Sequence, residues 1–474
     1  MHLELAALTA YPVIDEAAVD KLLTRELAEN RRKLIVLDDD PTGVQTVHGV
    51  SVYTDWSQAS IRQGMQEKSR LFFILTNSRG LSAAETTRVH KEIICNISSV
   101  SEECGIPYFI ISRSDSTLRG HYPLETLLLK EGAEADGTAV DGEILCPFFK
   151  EGGRFTIGNI HYVRDGEKLI PCGETEFARD RTFGYSSSSI PDYVEEKTGG
   201  AYRREDVVCI SLESLRACDY DGILSQLMSV KNFGKVCVNA VDYCDLKVFA
   251  VAFFRALANG KRFVLRTAAG LVKVLGGVSN RELLTSGELG AASDRGGVVV
   301  VGSHMQKTTR QLEALLQLPN TVPIAFDSDL VLQEPEVFQR EIDRCVALEE
   351  KCIREGKTAV CFTKRTLLRQ LHDTEESALA RSVQISDGVQ SLVGRLRVTP
   401  AFVVAKGGIT SSDIGTKALK VRRATVLGQI KPGVPVWHTG GESRFPKIPY
   451  VIFPGNVGSD NTLREVVEIL TNHK

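Results

Sequence analysis

Short apolar runs alternate with longer amphipathic stretches along the amino-terminal half of the chain. The apolar runs are rich in β-branched and aromatic residues, and they predict β-strands at Leu34–Leu37, Phe72–Leu75, Tyr108–Ile111, Val207–Ile210, Val236–Val238 and Phe263–Leu265. Stretches with helical spacing lie between several of them, for example at Ala83–Cys95 and Leu246–Leu257. Strands that alternate with helices are typical of β-α-β units on a mainly parallel sheet.

A second series of the same kind follows in the carboxyl-terminal half. Its predicted strands are Val298–Val301, Val322–Phe326, Ala359–Phe362, Phe402–Ala405 and Val451–Phe453. The predicted helices between them are Thr308–Leu316, Val337–Ile353 and Leu379–Leu396. The pattern therefore predicts a second α/β unit.

The two series are separated by residues 286–297, which are small or polar and show no periodicity. We expect an amino-terminal extension (1–32), a first domain (33–285), a linker (286–297) and a second domain (298–474). Residues 144–200 show weak periodicity and many Gly, Pro and Ser residues, so they predict a long and functional loop insertion. The predicted fold class is α/β, with two domains that each contain a mainly parallel sheet flanked by helices. The active site is expected in the cleft between the domains.

Composition narrows the choice of partners. The 474 residues contain 57 basic and 60 acidic side chains, and the net charge of −3 argues against nucleic-acid and membrane partners. The chain begins without a signal-peptide pattern and has no long apolar run, so we expect a cytoplasmic protein. Eleven cysteines are scattered without a C-x-x-C pair, which argues against a zinc site.

Three consecutive aspartates, Asp38, Asp39 and Asp40, directly follow the predicted strand Leu34–Leu37. Open α/β sheets bind ligands beyond the carboxyl ends of their strands. The aspartates could instead satisfy backbone amides in the turn that Pro41–Gly43 form. Adjacent carboxylates repel one another unless a cation, a polyol or amides hold them, and this cost favours a functional site.

One interpretation of this turn is a haloacid-dehalogenase-like phosphatase, because Asp38, Asp40 and Thr42 have the spacing D-x-D-x-T after a strand. The first carboxylate would attack phosphorus, and the second would transfer protons. The residues after the predicted strand near Val451–Phe453 are Pro454-Gly455-Asn456, where that chemistry would need carboxylates for magnesium. We therefore rank the phosphatase second.

Arginines and hydroxyl residues follow two further predicted strands. Arg79 lies after Phe72–Leu75, and Arg113, Asp115 and Arg119 lie after Tyr108–Ile111. Guanidinium groups bind carboxylates through two parallel hydrogen bonds, while aspartate and serine can bind sugar-like hydroxyls. A single such loop would indicate only a helix cap and a solvated surface. Repetition of the same chemistry at successive strand ends predicts a binding site.

The second domain has neither of the two commonest phosphate-binding motifs, G-x-x-x-x-G-K-[ST] and G-x-G-x-x-G. Three glycine-containing loops instead follow predicted strands, at Gly302-Ser303, Lys406–Asp413 and Pro454–Gly458. Such loops can expose backbone N–H groups to phosphate oxygens at a helix start. Their repetition predicts a nucleotide site.

Taken together, these motifs resemble those of the four-carbon acid sugar kinase family. The resemblance rests on Asp39–Gly43, Arg113–Gly120, Lys406–Ser411 and Pro454–Gly458, and it covers the chain from about Lys33 to the carboxyl terminus. It implies a two-domain kinase that uses ATP and Mg²⁺ to phosphorylate the terminal hydroxyl of threonate, erythronate or a 3-oxo-tetronate. The partners would be a sugar acid and ATP, and a homo-oligomer is left open.

The resemblance also implies roles for individual residues. The ATP site would contain Ser303, Gly407, Gly408, Ile409, Thr410 and Gly455. The substrate site would contain Asp39, Arg79, Arg113 and Arg119, together with the catalytic candidates Asp40 and Asp115. No side chain is predicted to bind the metal.

Two departures from the family pattern matter. Ile409 occupies a position where many members have glutamate, although Asp413 could substitute, and Asp38 is an additional acidic residue before the turn. The exchange at Ile409 leaves open a third interpretation, a non-catalytic protein that binds sugar acids.

Overall fold

The computed structural model describes residues 2–290, 294–366, 368, 370, 373, 375–455 and 457–472. The β-strands of these residues are β1 (Leu3–Glu4), β2 (Lys33–Asp38), β3 (Ser51–Tyr53), β4 (Leu71–Leu75), β5 (Tyr108–Arg113), β6 (Gly142–Cys146), β7 (Arg154–Ile157), β8 (Ile160–Asp165), β9 (Lys168–Pro171), β10 (Val208–Ile210), β11 (Gly234–Val238), β12 (Phe263–Thr267), β13 (Val298–Val301), β14 (Thr321–Phe326), β15 (Thr358–Thr363), β16 (Val403–Lys406), β17 (Arg423–Lys431), β18 (Val434–Thr439) and β19 (Pro449–Phe453).

The α-helices of the same residues are α1 (Glu16–Glu29), α2 (Gln58–Gln66), α3 (Ala83–Cys104), α4 (Leu124–Ala135), α5 (Ile190–Lys197), α6 (Leu212–Arg216), α7 (Tyr220–Ser229), α8 (Tyr243–Ala258), α9 (Ala269–Leu275), α10 (Gln306–Leu315), α11 (Pro335–Arg354), α12 (Glu375–Gly394), α13 (Gly408–Asp413) and α14 (Thr462–Thr471). None of them is long and apolar enough to cross a membrane.

The chain forms two compact units. The first contains Met1–Val47 and Asp55–Asn280, and the second contains His48–Thr54 and Arg281–Lys474. The short segment His48–Thr54 leaves the first unit and supplies strand β3 to the sheet of the second. The segment predicted as a linker, 286–297, falls within the range of the second unit, and its residues 291–293 lie outside the described residues.

The first unit is built on a parallel sheet with the strand order β10-β11-β6-β12-β5-β2-β4. Strand β2 is buried at every position, as its uninterrupted apolar run requires for a central parallel strand. Its register pairs Asp38 with Leu75 on one side and with Arg113 on the other. The carboxyl ends of β4, β2 and β5 therefore lie side by side.

The region predicted as a loop insertion contains regular structure, and that prediction is wrong in this respect. Residues 144–146 complete strand β6 of the parallel sheet. Strands β7, β8 and β9 then form an antiparallel sheet with β1, and helix α5 follows. Buried side chains from this region, including Tyr185, Ile190 and Tyr193, form a separate apolar core. Weak periodicity in the sequence came from short strands rather than from an irregular loop.

The segment predicted as an amino-terminal extension packs on the first unit. Helix α1 lies against α8, and ion pairs join Lys247 to Asp20 (2.7 Å) and Arg255 to Glu26 (2.9 Å). Val19 and Leu23 are the buried residues of α1, four positions apart on one helix face.

The second unit contains a mixed sheet with the strand order β3-β17-β18-β19-β16-β13-β15-β14. The strands from β19 to β14 pair in parallel, as the sequence pattern predicts. Strands β3, β17 and β18 pair in antiparallel and were not predicted. Strand β17 alternates strictly between buried and partly exposed residues, which is the expected pattern for a strand with one solvated face. The α/β fold class with two units and mainly parallel sheets is confirmed.

Candidate functional site

The deepest feature of the acidic turn is an ion pair between Asp38 and Arg113. The Nε atom of Arg113 donates to Oδ1 of Asp38 at 2.5 Å. The side chain of Asp38 is 1% exposed, and that of Arg113 is 5% exposed. Arg113 also donates to the carbonyl of Asp40 at 2.7 Å. Burial raises the pKa of Asp38, against the opposing effect of the Arg113 guanidinium. Asp38 and Arg113 therefore form the base of the turn.

Gly43 is required by this arrangement. A Cβ atom at position 43 would lie 2.0 Å from the guanidinium of Arg113. Any side chain there would displace Arg113 from Asp38. The glycine of the acidic motif thus allows the turn to pass close over the arginine.

Asp39 links the turn to the loop after β5. Its Oδ2 atom accepts a hydrogen bond from the backbone N–H of Asp115 at 3.3 Å, and its Oδ1 atom lies 3.4 Å from Nη1 of Arg113. Burial raises the pKa of Asp39, and the neighbouring Arg79 and Arg113 oppose this rise. Asp39 is buried, with 3% exposure, and its two contacts join the turn after β2 to the loop after β5.

Arg79 bridges the two carboxylates that were predicted to be catalytic. It forms one ion pair with Oδ2 of Asp40 and another with Oδ1 of Asp115, the second at 3.3 Å. All three side chains are partly accessible, at 20% for Arg79 and 12% for each aspartate. The structure therefore brings Asp40, Arg79 and Asp115 together from the ends of three strands.

The two catalytic candidates are ionised in this environment. Burial raises the pKa of Asp40, but Arg79, Arg113 and the N–H of Thr42 together hold it below its ordinary value. Burial has the same effect on Asp115, and Arg119 and Arg79 outweigh it, so the pKa of Asp115 lies far below the usual range. Each carboxylate therefore carries a negative charge at neutral pH and can accept hydrogen bonds from hydroxyl groups.

Arg119 completes the cluster and is the most exposed of its arginines. Its Nε donates to Asp115 at 2.7 Å, and its guanidinium lies 5.1 Å from the ring centroid of Phe177. Its Nη1 atom is 3.7 Å from Asp180, which is too long for a hydrogen bond. With 24% exposure, Arg119 and the 20% exposed Arg79 are more accessible to a ligand than Arg113.

Sequence reasoning missed Arg266, at the end of β12. Its guanidinium donates to Ser114 Oγ (2.9 Å), lies 3.3 Å from Glu125 and donates to the carbonyl of Arg119 (3.2 Å). Gly120, with a φ of 119°, leaves room for this contact, because a Cβ there would lie 3.3 Å from Arg266. A charged residue directly after the buried run Phe263–Leu265 was the available signal.

In the second unit, the predicted nucleotide residues also come together. Strands β19, β16 and β13 are neighbours, and the three glycine loops follow their carboxyl ends. The hydroxyl of Thr308 donates to Ser303 Oγ (3.2 Å) and lies 3.3 Å from the Gly455 carbonyl. A Cβ at Gly455 would lie 3.6 Å from Ser303 Oγ. Ser303 and Gly455 are thus in direct proximity.

Gly407 and Thr410 lie against the first glycine loop. Gly407 has a φ of 121°, and a Cβ there would lie 3.3 Å from Cβ of Ser303. A Cβ at Gly302 would lie 2.3 Å from Oγ1 of Thr410. Gly408 begins helix α13. The absence of side chains at Gly302 and Gly407 lets Thr410 and Ser303 pack directly against the two glycine backbones. We call the loops of Ser303, Gly407–Thr410 and Gly455 the cradle, because glycine backbone and hydroxyl groups grouped in this way are suited to phosphate oxygens.

Lys406 supports this cradle from inside the unit. Its Nζ atom donates to the carbonyl of Pro454 at 2.6 Å and lies 3.3 Å from the carbonyl of Gly455. The side chain is fully buried, and burial lowers the pKa of Lys406 to about 6. Lys406 therefore ties the loop after β19 to the end of β16.

Ile409 is 72% exposed at the start of α13, and Met305 is 41% exposed beside the Ser303 loop. Asp413, which was considered as a substitute for an acidic residue at position 409, accepts a hydrogen bond from Ser386 at 2.5 Å and pairs with Lys417 at 3.1 Å. Its carboxylate is therefore engaged within the second unit.

The chemistry of these residues fits a nucleotide better than an isolated metal ion. Close glycine backbones and the Ser303 and Thr410 hydroxyls suit phosphate oxygens. Among the residues that the structure describes, no group of three or more His, Cys, Asp or Glu side chains could hold a metal ion. A magnesium ion would depend on the nucleotide's own phosphates for most of its ligands.

Comparisons with known proteins also divide the chain into an amino-terminal and a carboxyl-terminal domain. Residues 34–275 match the model of a sugar-binding N-terminal domain, and residues 298–463 match the model of a nucleotide-binding C-terminal domain. Among curated proteins, no sequence matches the chain closely enough to count as a relative.

Two solved structures have the same fold. A Salmonella typhimurium LT2 protein, provisionally described as a tRNA synthase, is 16% identical, covers 91% of this chain and 98% of its own, and has a TM-score of 0.65. A Haemophilus influenzae protein of the DUF1537 family is also 16% identical, covers 92% of this chain and 100% of its own, and has a TM-score of 0.58. At such low identity these likenesses show the fold alone.

The two matched domains are those expected of a sugar kinase, and each contains one of the two residue clusters described above. On this evidence, the chain belongs to the four-carbon acid sugar kinase family, in which a sugar-binding amino-terminal domain is joined to a nucleotide-binding carboxyl-terminal domain.

Proposed function

We propose that the protein is an ATP-dependent kinase that phosphorylates the terminal hydroxyl of a four-carbon sugar acid of the threonate, erythronate or 3-oxo-tetronate type. The observation that carries the proposal is the cluster of Asp40, Arg79, Asp115 and Arg119 in the sugar-binding domain. It combines accessible guanidinium groups, which suit a substrate carboxylate, with ionised carboxylates, which suit hydroxyl groups.

In this proposal, Arg119 and Arg79 bind the carboxylate of the sugar acid. Asp40 or Asp115 accepts the proton of the attacking hydroxyl, and Arg113, Asp38 and Asp39 hold the two loops in position. Phosphoryl transfer requires mainly correct positioning and stabilisation of charge, so an ionised carboxylate that orients the hydroxyl is sufficient.

ATP is assigned to the loops of Ser303, Gly407, Gly408, Thr410 and Gly455, where the Ser303 and Thr410 hydroxyls and the backbone N–H groups at the start of α13 would bind phosphate oxygens. Magnesium bound to those phosphates would neutralise charge on the transferred group. Exposed Ile409 and Met305 offer apolar surface next to the cradle.

The phosphatase alternative requires Asp38 as the nucleophile. The carboxylate of Asp38 is 1% exposed and is paired with Arg113, so a phosphoester has no access to it in this geometry. Asp460 is a nearby carboxylate after β19, and it pairs with Arg310 at 3.0 Å. These two observations favour the kinase.

The test is a coupled assay of ATP consumption over a panel of D- and L-threonate, D- and L-erythronate and the corresponding 3-oxo acids. The kinase predicts ATP consumption that depends on at least one acid, with phosphate recovered on the acid. Phosphate release from a phosphoester without nucleotide would support the phosphatase instead. Binding of an acid with no ATP binding by calorimetry would support the non-catalytic alternative.

A further inference from the structure

The loop that carries Asp115 and Arg119 is hydrogen-bonded to side chains of residues 144–200. Three consecutive backbone carbonyls of the loop each accept a hydrogen bond from a different side chain of that region. The three contacts are His161 Nε2 to Ser116 O (2.7 Å), Tyr185 Oη to Thr117 O (2.7 Å) and Tyr193 Oη to Leu118 O (2.8 Å).

The three donors are buried. His161 and Tyr193 have no exposed surface, and Tyr185 is 7% exposed. A carbonyl can only accept, so His161 carries its proton on Nε2, and its Nδ1 accepts from the hydroxyl of Thr156 at 3.0 Å. Loss of His161 or Tyr193 would remove the side-chain donor of the Ser116 or Leu118 carbonyl, and loss of the Tyr185 hydroxyl would leave the buried Thr117 carbonyl only the weaker thiol contact with Cys172 at 3.7 Å.

The backbone between the capped carbonyls is strained. Leu118 has a φ of 66°, a left-handed conformation that is uncommon for residues other than glycine, and its side chain is 4% exposed. It packs in the same apolar core as Tyr185 and Tyr193. Strained conformations of this kind persist only where surrounding contacts hold them.

The two ends of the strained segment carry the functional groups. Asp115 precedes it and contacts Arg79, while Arg119 follows it and contacts both Asp115 and the ring of Phe177. Phe177 belongs to the same 144–200 region. A change in the backbone at 116–118 would therefore alter the separation and direction of Asp115 and Arg119.

We propose that His161, Tyr185 and Tyr193 are positioning residues for the sugar-acid site. They act through the carbonyls of Ser116–Leu118 and hold Asp115 and Arg119 in the orientation that recognises the acid. This proposal rests on the proposed kinase function. It assigns the 144–200 region a role in affinity for the acid and none in affinity for ATP.

The test uses Tyr185→Phe, Tyr193→Phe and the double variant of the full chain, because each change removes one hydroxyl and keeps the ring. Tyr122→Phe is the matched control. Tyr122 is a buried tyrosine of the same core, stacked on Tyr193 with centroids 5.4 Å apart, and its hydroxyl has no hydrogen-bond partner among the described residues.

The first measurement is amide hydrogen exchange over residues 114–121, and the second is the KM for the acid and for ATP. We expect faster exchange in each variant, a rise in KM for the acid of roughly tenfold or more in the double variant, and an unchanged KM for ATP. Tyr122→Phe should behave as the unmodified protein.

Unchanged exchange at 114–121 in the double variant, with the chain folded by circular dichroism, would overturn the positioning role. Equal rises in KM for both substrates, or a rise for ATP alone, would also overturn it. If the unmodified protein consumes ATP with none of the acids, the proposed function fails, and the exchange measurement still decides whether these side chains hold the loop.

Discussion

Asp38 and Arg113 lie opposite each other at the carboxyl ends of neighbouring strands, and their side chains form a buried ion pair with Nε 2.5 Å from Oδ1. The pair lies beneath the turn that carries Asp40. Asp38 is therefore a structural partner of Arg113, while Asp40 is the accessible aspartate of the turn.

Replacement of Asp38 by alanine should destabilise the first unit. The change removes the nearest carboxylate from the buried Arg113 and leaves it the longer contact with Asp39 at 3.4 Å, and loss of one member of a buried ion pair costs ~3–5 kcal/mol. Urea unfolding, followed by circular dichroism, would measure the loss. Glu29→Gln is the control, because its pair with Arg25 is exposed and should contribute nothing measurable. Equal stability of the Asp38→Ala variant would contradict the structural role.

Replacement of Asp40 or Asp115 by asparagine should separate proton transfer from binding. Asparagine keeps the size of the side chain and removes its charge. If one of the two aspartates accepts the hydroxyl proton, its variant should lose at least about tenfold in kcat at saturating ATP. Steady-state kinetics with the acid identified by the panel would measure this. A loss below tenfold in both variants would show that the assignment of the base is wrong.

Protonation of Asp40 or Asp115 should not lower kcat/KM between pH 5 and pH 7. Their pKa values are lowered by the adjacent arginines, so the ionised forms persist below the ordinary aspartate range. Activity is measured between pH 5 and pH 8 for the unmodified protein and for Asp40→Asn and Asp115→Asn. We expect no fall in activity toward low pH in this range that either substitution abolishes. Such a fall would indicate that one of the two titrates much higher than its ion pairs allow.

Gly302→Ala should weaken ATP binding without affecting the acid site. The added Cβ would lie 2.3 Å from Oγ1 of Thr410, so either Thr410 or the loop must move. We expect a raised KM for ATP and an unchanged KM for the acid. Gly441→Ala is the matched control in the same unit, because a Cβ there would meet no atom of the described residues within 4 Å. Equal KM values for ATP in both variants would argue against this cradle.

Glu349 should make the stability of the protein depend on pH. It is fully buried on α11, its Oε1 accepts from Cys361 at 2.9 Å, and burial raises the pKa of Glu349 to about 8. The folded state then keeps a proton that the unfolded state loses above about pH 4.5. The free energy of unfolding should therefore fall as the pH rises from about 4.5 to about 8.

Glu349→Gln should remove this part of the pH dependence. The difference in unfolding midpoint between the variant and the unmodified protein, measured in urea at pH 5 and pH 8, isolates Glu349 from other groups. Glu336→Gln, an exposed change on the same helix, serves as the control. A difference that stays constant between the two pH values would show that Glu349 does not retain its proton.

The positions of most strands could be predicted from the sequence, whereas most contacts among the site residues could not. Each predicted strand lies within or overlaps a strand of the structure, because short runs of β-branched and aromatic residues carry a local signal for strands. The hairpin of β17 and β18 was missed, although the alternation in Arg423–Lys431 is visible once the partner strand is known. The sequence pattern predicts a loop where the short strands β7 to β9 lie, because each strand is stabilised by pairing with its neighbours and not by a pattern within its own few residues.

The position of the candidate chemistry at strand ends followed from the sequence, since a buried apolar run followed by polar residues marks that point by itself. The side chains that these residues contact could not be predicted from the sequence. Asp38 and Arg113 are 75 residues apart, and His161, Tyr185 and Tyr193 lie 45 to 75 residues from the carbonyls they contact. Ion pairs and hydrogen bonds depend on strand register and on packing between distant segments. The sequence by itself therefore determined which residues could act, and only the tertiary structure decided which of them are buried supports and which remain accessible to a ligand.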